Sequence, residues 1–67
     1  MALRHLGGRI RRARAARGLS QQALADKTHL SRIYIAKLEG GERRAPSLTT
    51  LQRIARVLGV KLSELVD

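Results

Sequence analysis

Three side chains that could contact a DNA base or a phosphate follow Ser31: Arg32, Ile33 and Lys37. Arginine and lysine can donate hydrogen bonds to guanine O6 and N7, and isoleucine can touch a thymine methyl group. On a helical wheel of about 100° per residue these side chains point outward together. The same wheel gives the other residues these positions: Ile35 and Leu38 inward, Tyr34 at the boundary, Ala36 outward. An exposed isoleucine between two cations favours a surface that enters the major groove. The alternative interpretation is that Arg32 and Lys37 only increase solubility and that Ile33 is an ordinary apolar residue on the surface.

Catalytic chemistry has little support among the residue types. The chain has no cysteine, so it has neither a disulfide framework nor a thiolate zinc site. The two histidines are His5 and His29, and no acidic residue has a spacing that pairs with either. Gly7-Gly8 is too short for a phosphate loop, and there is no paired-carboxylate site or nucleophile–base pair. We therefore expect no enzyme, no metal and no cofactor.

Positive charge dominates the composition. Fourteen Lys and Arg against five Asp and Glu give a net charge of +9, and residues 1–19 alone hold +6. A folded basic domain typically binds nucleic acid, and an anionic membrane surface is the alternative. Tyr34 is the one aromatic residue, which argues against a base-stacking platform. There is no apolar run of the ~18–20 residues that span a bilayer and no secretory signal, so we expect no membrane and a cytoplasmic protein.

The chain of 67 residues is expected to form one all-α domain. Ser20 and Ser31 each suit an N-cap, with an apolar residue before and another four residues after. Two helix starts so close together force a short helix, a tight turn and a second helix, which is a helix-turn-helix in outline. Gly18 and Gly59 suit left-handed positions after helices. The predicted helices span about 4–17, 21–27, 32–39, 48–58 and 61–66.

These residues resemble a known family, the phage repressor/Cro (XRE) type of helix-turn-helix. The helix-turn-helix spacing that matches is Gln21, Ala25, His29, Ile35. The flanking segments that match are Arg11-Arg12-Ala13-Arg14, Arg17-Gly18-Leu19-Ser20-Gln21, Leu38-Glu39-Gly40-Gly41-Glu42-Arg43, Pro46-Ser47-Leu48 and Leu58-Gly59-Val60. The resemblance covers roughly residues 6–66. It implies a compact five-helix, lambda-repressor-like bundle that binds double-stranded DNA, usually as a dimer on a palindromic operator.

The resemblance also assigns roles to single residues. It places base contacts at Arg32, Ile33 and Lys37, and it implies that Gln21 contacts a phosphate and braces Arg32. Ser31 is expected to act similarly at the next helix start. The other phosphate candidates are Gln22, Arg43 and Arg44, together with Arg9 or Arg11.

Arg14 and Glu39 are expected to form a structural ion pair between the first and third helices. The family has this pair, and Glu39 is also the one acid between Lys27 and Gly41. The turn departs from the family, which usually has glycine where this chain has His29, so we predict a positive φ with some strain at His29. Ala25 is expected where two helices cross, although it is also simply a good helix former.

Dimerisation is expected because one recognition helix reads only a few base pairs. The candidate interface consists of Val60, Lys61, Leu62, Leu65 and Val66, of which Leu62 or Leu65 must also complete the monomer core. The leading hypothesis is a sequence-specific regulator in a bacterial or phage-infected cytoplasm, associated with the nucleoid. The alternatives are an antitoxin-type protein that also binds a protein partner, or the DNA-binding domain of a larger regulator. A cationic amphipathic helix at a membrane is the least favoured hypothesis, because it would not need the capped helices that follow.

Overall fold

The computed structural model describes residues 3–42 and 45–66. Within them the chain forms four α-helices and one short 3-10 turn, with no strand. The elements are α1 (Leu6–Ala16), α2 (Gln21–Thr28), α3 (Arg32–Glu39), α4 (Leu48–Leu58) and a 3-10 turn (Leu62–Glu64). In this part of the chain, no helix has both the length and the apolar character that crossing a bilayer requires.

Serine side chains start three of the four α-helices. The Oγ atoms of Ser20, Ser31 and Ser47 each accept a hydrogen bond from the backbone N–H three residues further on, at 3.0, 2.9 and 3.2 Å. Each serine therefore satisfies one of the N–H groups that the first turn of a helix leaves without a partner. These local bonds fix where α2 and α3 begin, and so fix the turn between them.

Left-handed residues end or follow the helices as the sequence predicts. Gly18 has φ 67° and Gly59 has φ 69°. His29, at the end of α2, has φ 59° and ψ 34°, and it is the one non-glycine residue with positive φ in the described part of the chain. The predicted left-handed conformation of His29 is confirmed.

The predicted fifth α-helix is wrong. Residues 62–64 form one 3-10 turn, with i to i−3 hydrogen bonds from Glu64 N to Lys61 O and from Leu65 N to Leu62 O, both 2.9 Å. The Glu64 carboxylate accepts from the backbone N–H of Lys61 at 2.6 Å, which caps this turn. A segment this short gains little from α-helical propagation, and the tighter turn delivers Leu65 into the core. The first helix is also shorter than predicted, since α1 starts at Leu6 and ends at Ala16.

One apolar core joins all four helices and the C-terminal turn. Ile10, Ile35 and Ile54 are completely buried, and Leu65 is 1% exposed. Ala25 is also completely buried, so a larger side chain there would overpack the core. The remaining buried apolar residues are Leu6, Leu24, Leu38, Leu51, Ala55 and Leu58.

Gly7 allows the backbone of α1 to approach the end of α3. A Cβ atom at this position would lie 2.5 Å from the carbonyl oxygen of Leu38 and 2.7 Å from that of Glu39. Both atoms belong to backbone, so a side chain at position 7 would push the two helices apart. The glycine that weakens α1 as a helix former is thus needed for packing against α3.

Candidate nucleic-acid interface

The solvent side of α3 presents Arg32, Ile33, Ala36 and Lys37, which we call the α3 outer face. Arg32 and Lys37 are exposed, Ala36 is half-buried, and the Ile33 residue is 60% exposed. Ile35 and Leu38 point inward as predicted, since Ile35 is completely buried and Leu38 is 3% exposed. Tyr34, which was predicted at the boundary, is half-buried. The helix is anchored by its apolar stripe, and its opposite side is free to meet a partner.

Arg14 and Glu39 connect α1 to the end of α3. Arg14 Nε donates to Glu39 Oε2 at 2.6 Å and Arg14 Nη2 donates to Glu39 Oε1 at 2.9 Å, so the pair is bidentate. The Arg14 side chain is 14% exposed and that of Glu39 4%. The hydrogen bond to Glu39 raises the pKa of the Arg14 guanidinium above its ordinary value. The Arg14 guanidinium therefore stays charged, and its pair with Glu39 is largely shielded from water.

The same guanidinium also holds the connection between α1 and α2. Arg14 Nη1 donates to the carbonyl oxygen of Leu19 at 2.7 Å. Gln21, the first residue of α2, donates from Nε2 to Glu39 Oε1 at 3.2 Å. Gln21 is expected both to contact a phosphate and to brace Arg32; in the structure its amide nitrogen donates to Glu39. The start of α2 and the end of α3 are therefore joined through one carboxylate.

A shallow pocket of about 350 Å³ opens beside this network. It lies between α1, the start of α2 and the last turn of α3. Two guanidinium groups, one carboxamide and the Glu39 carboxylate line it, and the carboxylate is paired with Arg14, so the pocket is polar with a net charge of +1. The lining residues are Arg11, Arg14, Gln21, Ala36, Glu39 and Gly40.

The other expected phosphate contacts have separate positions. Arg11 is exposed on α1, and the Ser31 hydroxyl lies at the start of α3, where it accepts from Tyr34 N. Gln22 is exposed, and its Nε2 donates to Asp26 Oδ1 at 2.8 Å within α2. Arg43 and Arg44 lie outside the described residues.

The C-terminal residues divide between core and surface. Leu65 is buried in the monomer, so its side chain is not available to a partner and it leaves the expected interface. Lys61 is exposed, and three apolar side chains are partly buried against the core: Val60, Leu62 and Val66. The last of these is tied to α1 through its carbonyl oxygen, which accepts from Arg9 Nη1 at 3.3 Å.

Sequence reasoning missed the support at the end of α2. Thr28 is completely buried, and its Oγ1 donates within α2 to the carbonyl oxygen of Leu24 at 2.7 Å. Arg53 of α4 donates from Nη1 to the carbonyl oxygen of Thr28 at 3.2 Å. This bond satisfies a terminal carbonyl of α2 just before the left-handed His29. The predicted helix ends at about residue 27, so the sequence placed Thr28 in the turn, and nothing local pointed to Arg53.

Among the residues that the structure describes, no three His, Cys, Asp or Glu side chains come together as metal ligands. The arrangement instead combines two short helices at a tight turn, an exposed cationic face on the second helix, and buried ion-pair support. These features define a helix-turn-helix domain.

Comparison with known proteins agrees with this class. The chain belongs to the helix-turn-helix family of the XRE type, whose family model matches residues 10–65. It is 44% identical over 61 residues to the immunity repressor protein of Bacillus phage phi105, covering 91% of this chain and 42% of that protein. The chain thus spans less than half the length of that relative. It is also 31% identical over 62 residues to the transcriptional regulator SinR of Bacillus subtilis, covering 92% of this chain and 56% of that protein.

Solved structures share the fold. The restriction-modification controller protein C.AhdI from Aeromonas hydrophila superimposes with a TM-score of 0.83 at 38% identity, covering 90% of this chain and 86% of that chain. SinR in complex with DNA gives a TM-score of 0.88 at 31% identity, over 92% and 98% of the two chains. Hydroxypropylphosphonic acid epoxidase from S. wedmorenis gives 0.90 at 29% identity, but this chain covers only 35% of that enzyme. A domain of this fold therefore also occurs inside a larger enzyme.

Proposed function

We propose that the chain is a sequence-specific DNA-binding transcriptional regulator that places α3 in the major groove of a palindromic operator. The observation that carries this proposal is the α3 outer face, where Arg32, Ile33 and Lys37 are exposed together on a helix whose other side is buried. The likeness to a phage immunity repressor and to SinR in complex with DNA supports it. On this proposal the protein works in the bacterial cytoplasm, on nucleoid or phage DNA.

Base reading is assigned to the α3 outer face. The Arg32 guanidinium and the Lys37 ammonium would donate to guanine O6 or N7, and Ile33 would contact a thymine methyl group. The Arg14–Glu39 pair does not read bases in this scheme. It holds the last turn of α3 against α1 and so sets the angle at which α3 enters the groove.

Phosphate binding is assigned to the starts of α2 and α3. The Gln21 amide donates one N–H to Glu39 and has a second N–H for a phosphate oxygen. Ser31 accepts from Tyr34 N, which leaves its hydroxyl hydrogen available to donate. At the start of each of these two helices, the backbone N–H groups and the helix dipole also favour an anion. Further contacts are proposed for Gln22, Arg11, Arg43 and Arg44.

The protein is proposed to act without catalysis or a cofactor, as a homodimer at least on DNA. A second copy would contact the partly exposed C-terminal surface formed by Val60, Lys61, Leu62 and Val66. This pairing would place two α3 helices on one side of the duplex, about 34 Å apart.

The test is selection of bound sites from a random DNA pool at two salt concentrations, followed by binding of Lys37→Ala. We expect a palindromic consensus. Lys37→Ala should weaken the binding free energy for that site by about 1–3 kcal/mol and abolish the base preference at one position in each half-site. Lys27→Ala is the matched control, since it removes the same charge from the exposed last turn of α2, and it should leave the consensus unchanged. Uniform weakening by Lys37→Ala on every sequence would instead make Lys37 a phosphate contact.

A further inference from the structure

We propose that Ile33 recognises the 5-methyl group of a pyrimidine, whether that pyrimidine is thymine or 5-methylcytosine. Cytosine-5 methylation at the contacted position would then strengthen binding. This inference rests on the proposed function and deepens it by naming the chemical feature of the DNA that one residue reads.

The first observation is the exposure of Ile33. In the described part of the chain it is one of two large apolar side chains that are strongly exposed, at 60%, the other being Leu48 at 52%. The core contacts of α3 come from Ile35 and Leu38, so Ile33 adds nothing to the monomer interior. Leu48 is the first residue of α4 and does not belong to the α3 outer face. A large apolar side chain is thus displayed on the α3 outer face beside the two exposed cations, Arg32 and Lys37.

The second observation is chemical. Isoleucine has no hydrogen-bond donor or acceptor, so it cannot distinguish the polar atoms of base edges. The apolar group that bases present in the major groove is the methyl group on C5 of thymine. A 5-methylcytosine carries the same methyl group on the same ring carbon. Thymine and cytosine otherwise differ at position 4, as a carbonyl oxygen or an amino group, and Ile33 has no atom that can read that difference.

The neighbours of Ile33 leave it accessible. Ala36, three residues further along the same side, has only a methyl group and does not cover it. Arg32 precedes it, and Lys37 follows one helical turn later, both exposed. Either cation can bind guanine, so the α3 outer face offers a purine contact beside a pyrimidine-methyl contact. We expect the methylated pyrimidine to lie next to a guanine.

The test uses the site selected from the random pool and changes one methyl group at a time. At each pyrimidine position, thymine is compared with uracil opposite adenine, and 5-methylcytosine is compared with cytosine opposite guanine. At one position in each half-site, both methylated bases should bind about fourfold more tightly than their unmethylated counterparts, the factor for burying about one methyl-sized group.

Substitutions test whether the tighter binding of methylated bases comes from Ile33. Ile33→Ala should bring both ratios close to one, and Ile33→Val should give intermediate ratios. Leu48→Ala is the matched control, because it removes the other exposed apolar side chain, and it should leave both ratios unchanged. Ile33 lies outside the core, so Ile33→Ala should keep the helical circular dichroism and thermal midpoint of the parent chain.

Each outcome is decisive. The proposal is overturned if thymine and uracil bind equally at every position, if the ratios persist in Ile33→Ala, or if the methyl effect occurs for thymine but not for cytosine. A clear consensus with equal binding of methylated and unmethylated bases would remove this inference together with the thymine contact of Ile33, and would keep the proposed sequence-specific binding by α3. A pool that yields no consensus would remove both.

Discussion

His29 combines a left-handed backbone with a side chain that has a β-carbon. In this conformation the β-carbon approaches the following carbonyl oxygen, which costs about 1–2 kcal/mol for residues other than glycine. The backbone N–H of His29 donates to Asp26 O at 3.3 Å and that of Leu30 donates to Ala25 O at 2.9 Å, so the closing hydrogen bonds of α2 hold the turn in this shape. The strain is local to one residue and independent of the core.

We expect His29→Gly to raise the free energy of unfolding by about 0.5–1 kcal/mol, because the relief of strain exceeds the entropy that glycine adds to the unfolded chain. Urea denaturation monitored by circular dichroism measures the change. The matched reverse variant is Gly18→His, since Gly18 has φ 67° and a Cβ there would meet nothing within 4 Å. It should lower stability by a similar amount. A lower melting temperature for His29→Gly would contradict this account of the turn.

Residue-scale features were predictable where a local pattern determines them. The capping roles of Ser20 and Ser31, and the inward direction of Ile35 and Leu38, follow from contacts within one or two turns of helix. The position of Leu65 was not predictable in this way, since the same apolar residue can serve the core or a partner. Only the path of the chain after Gly59 decides that it is buried.

At the scale of elements, the orientation of α3 depends on polar contacts with other elements. Glu39 receives two hydrogen bonds from Arg14 and one from Gln21, so a single carboxylate connects α1, α2 and α3. Gly7 adds a backbone contact between α1 and the last turn of α3. The family resemblance implied the ion pair. The close approach at Gly7 was missed because its partner is the backbone of a distant segment, which leaves no mark on local periodicity.

A double-mutant cycle measures this connection. Arg14→Met and Glu39→Gln should each lower the free energy of unfolding by about 3–5 kcal/mol, because each leaves a largely buried group without its partner. The variant with both changes should lose less than the sum of the two, which is the sign of a direct interaction. Denaturant titration in an osmolyte that favours the folded state keeps the single variants measurable.

Two results would contradict the role of the Arg14–Glu39 pair in holding α3. If Arg14→Met keeps full stability and full DNA binding, the pair is not what holds α3. If the two losses are strictly additive, the residues act separately. Arg56→Met is a suitable control, since it removes an exposed arginine from the last turn of α4 and should change stability by less than about 0.5 kcal/mol.

For the whole molecule, the net charge of +9 divides into separate uses. Arg14 is engaged in an internal pair, Arg53 supports the end of α2, and Arg9 donates to the carbonyl oxygen of Val66. These contacts cannot be inferred from composition, which treats every cation alike. On the proposed function, the cations exposed in the described part of the chain supply attraction to a polyanion irrespective of sequence, and selection of a sequence is assigned to Arg32 and Lys37 of the α3 outer face.

The dimensions of the molecule bear on the pairing of two copies. The domain measures 27 × 23 × 19 Å. Two α3 helices about 34 Å apart each lie about 17 Å from the two-fold axis, a distance that one domain can span between α3 and its C-terminal surface.

We therefore expect cooperative binding to inverted half-sites whose centres are about 10 base pairs apart, and loss of cooperativity when about 5 base pairs are inserted, since the second half-site then faces the other side of the duplex. Gel-shift titration of the two DNAs measures the difference. Val66→Ser should weaken binding to the paired site while leaving a single half-site unaffected, whereas equal binding to both spacings would show that two monomers bind independently.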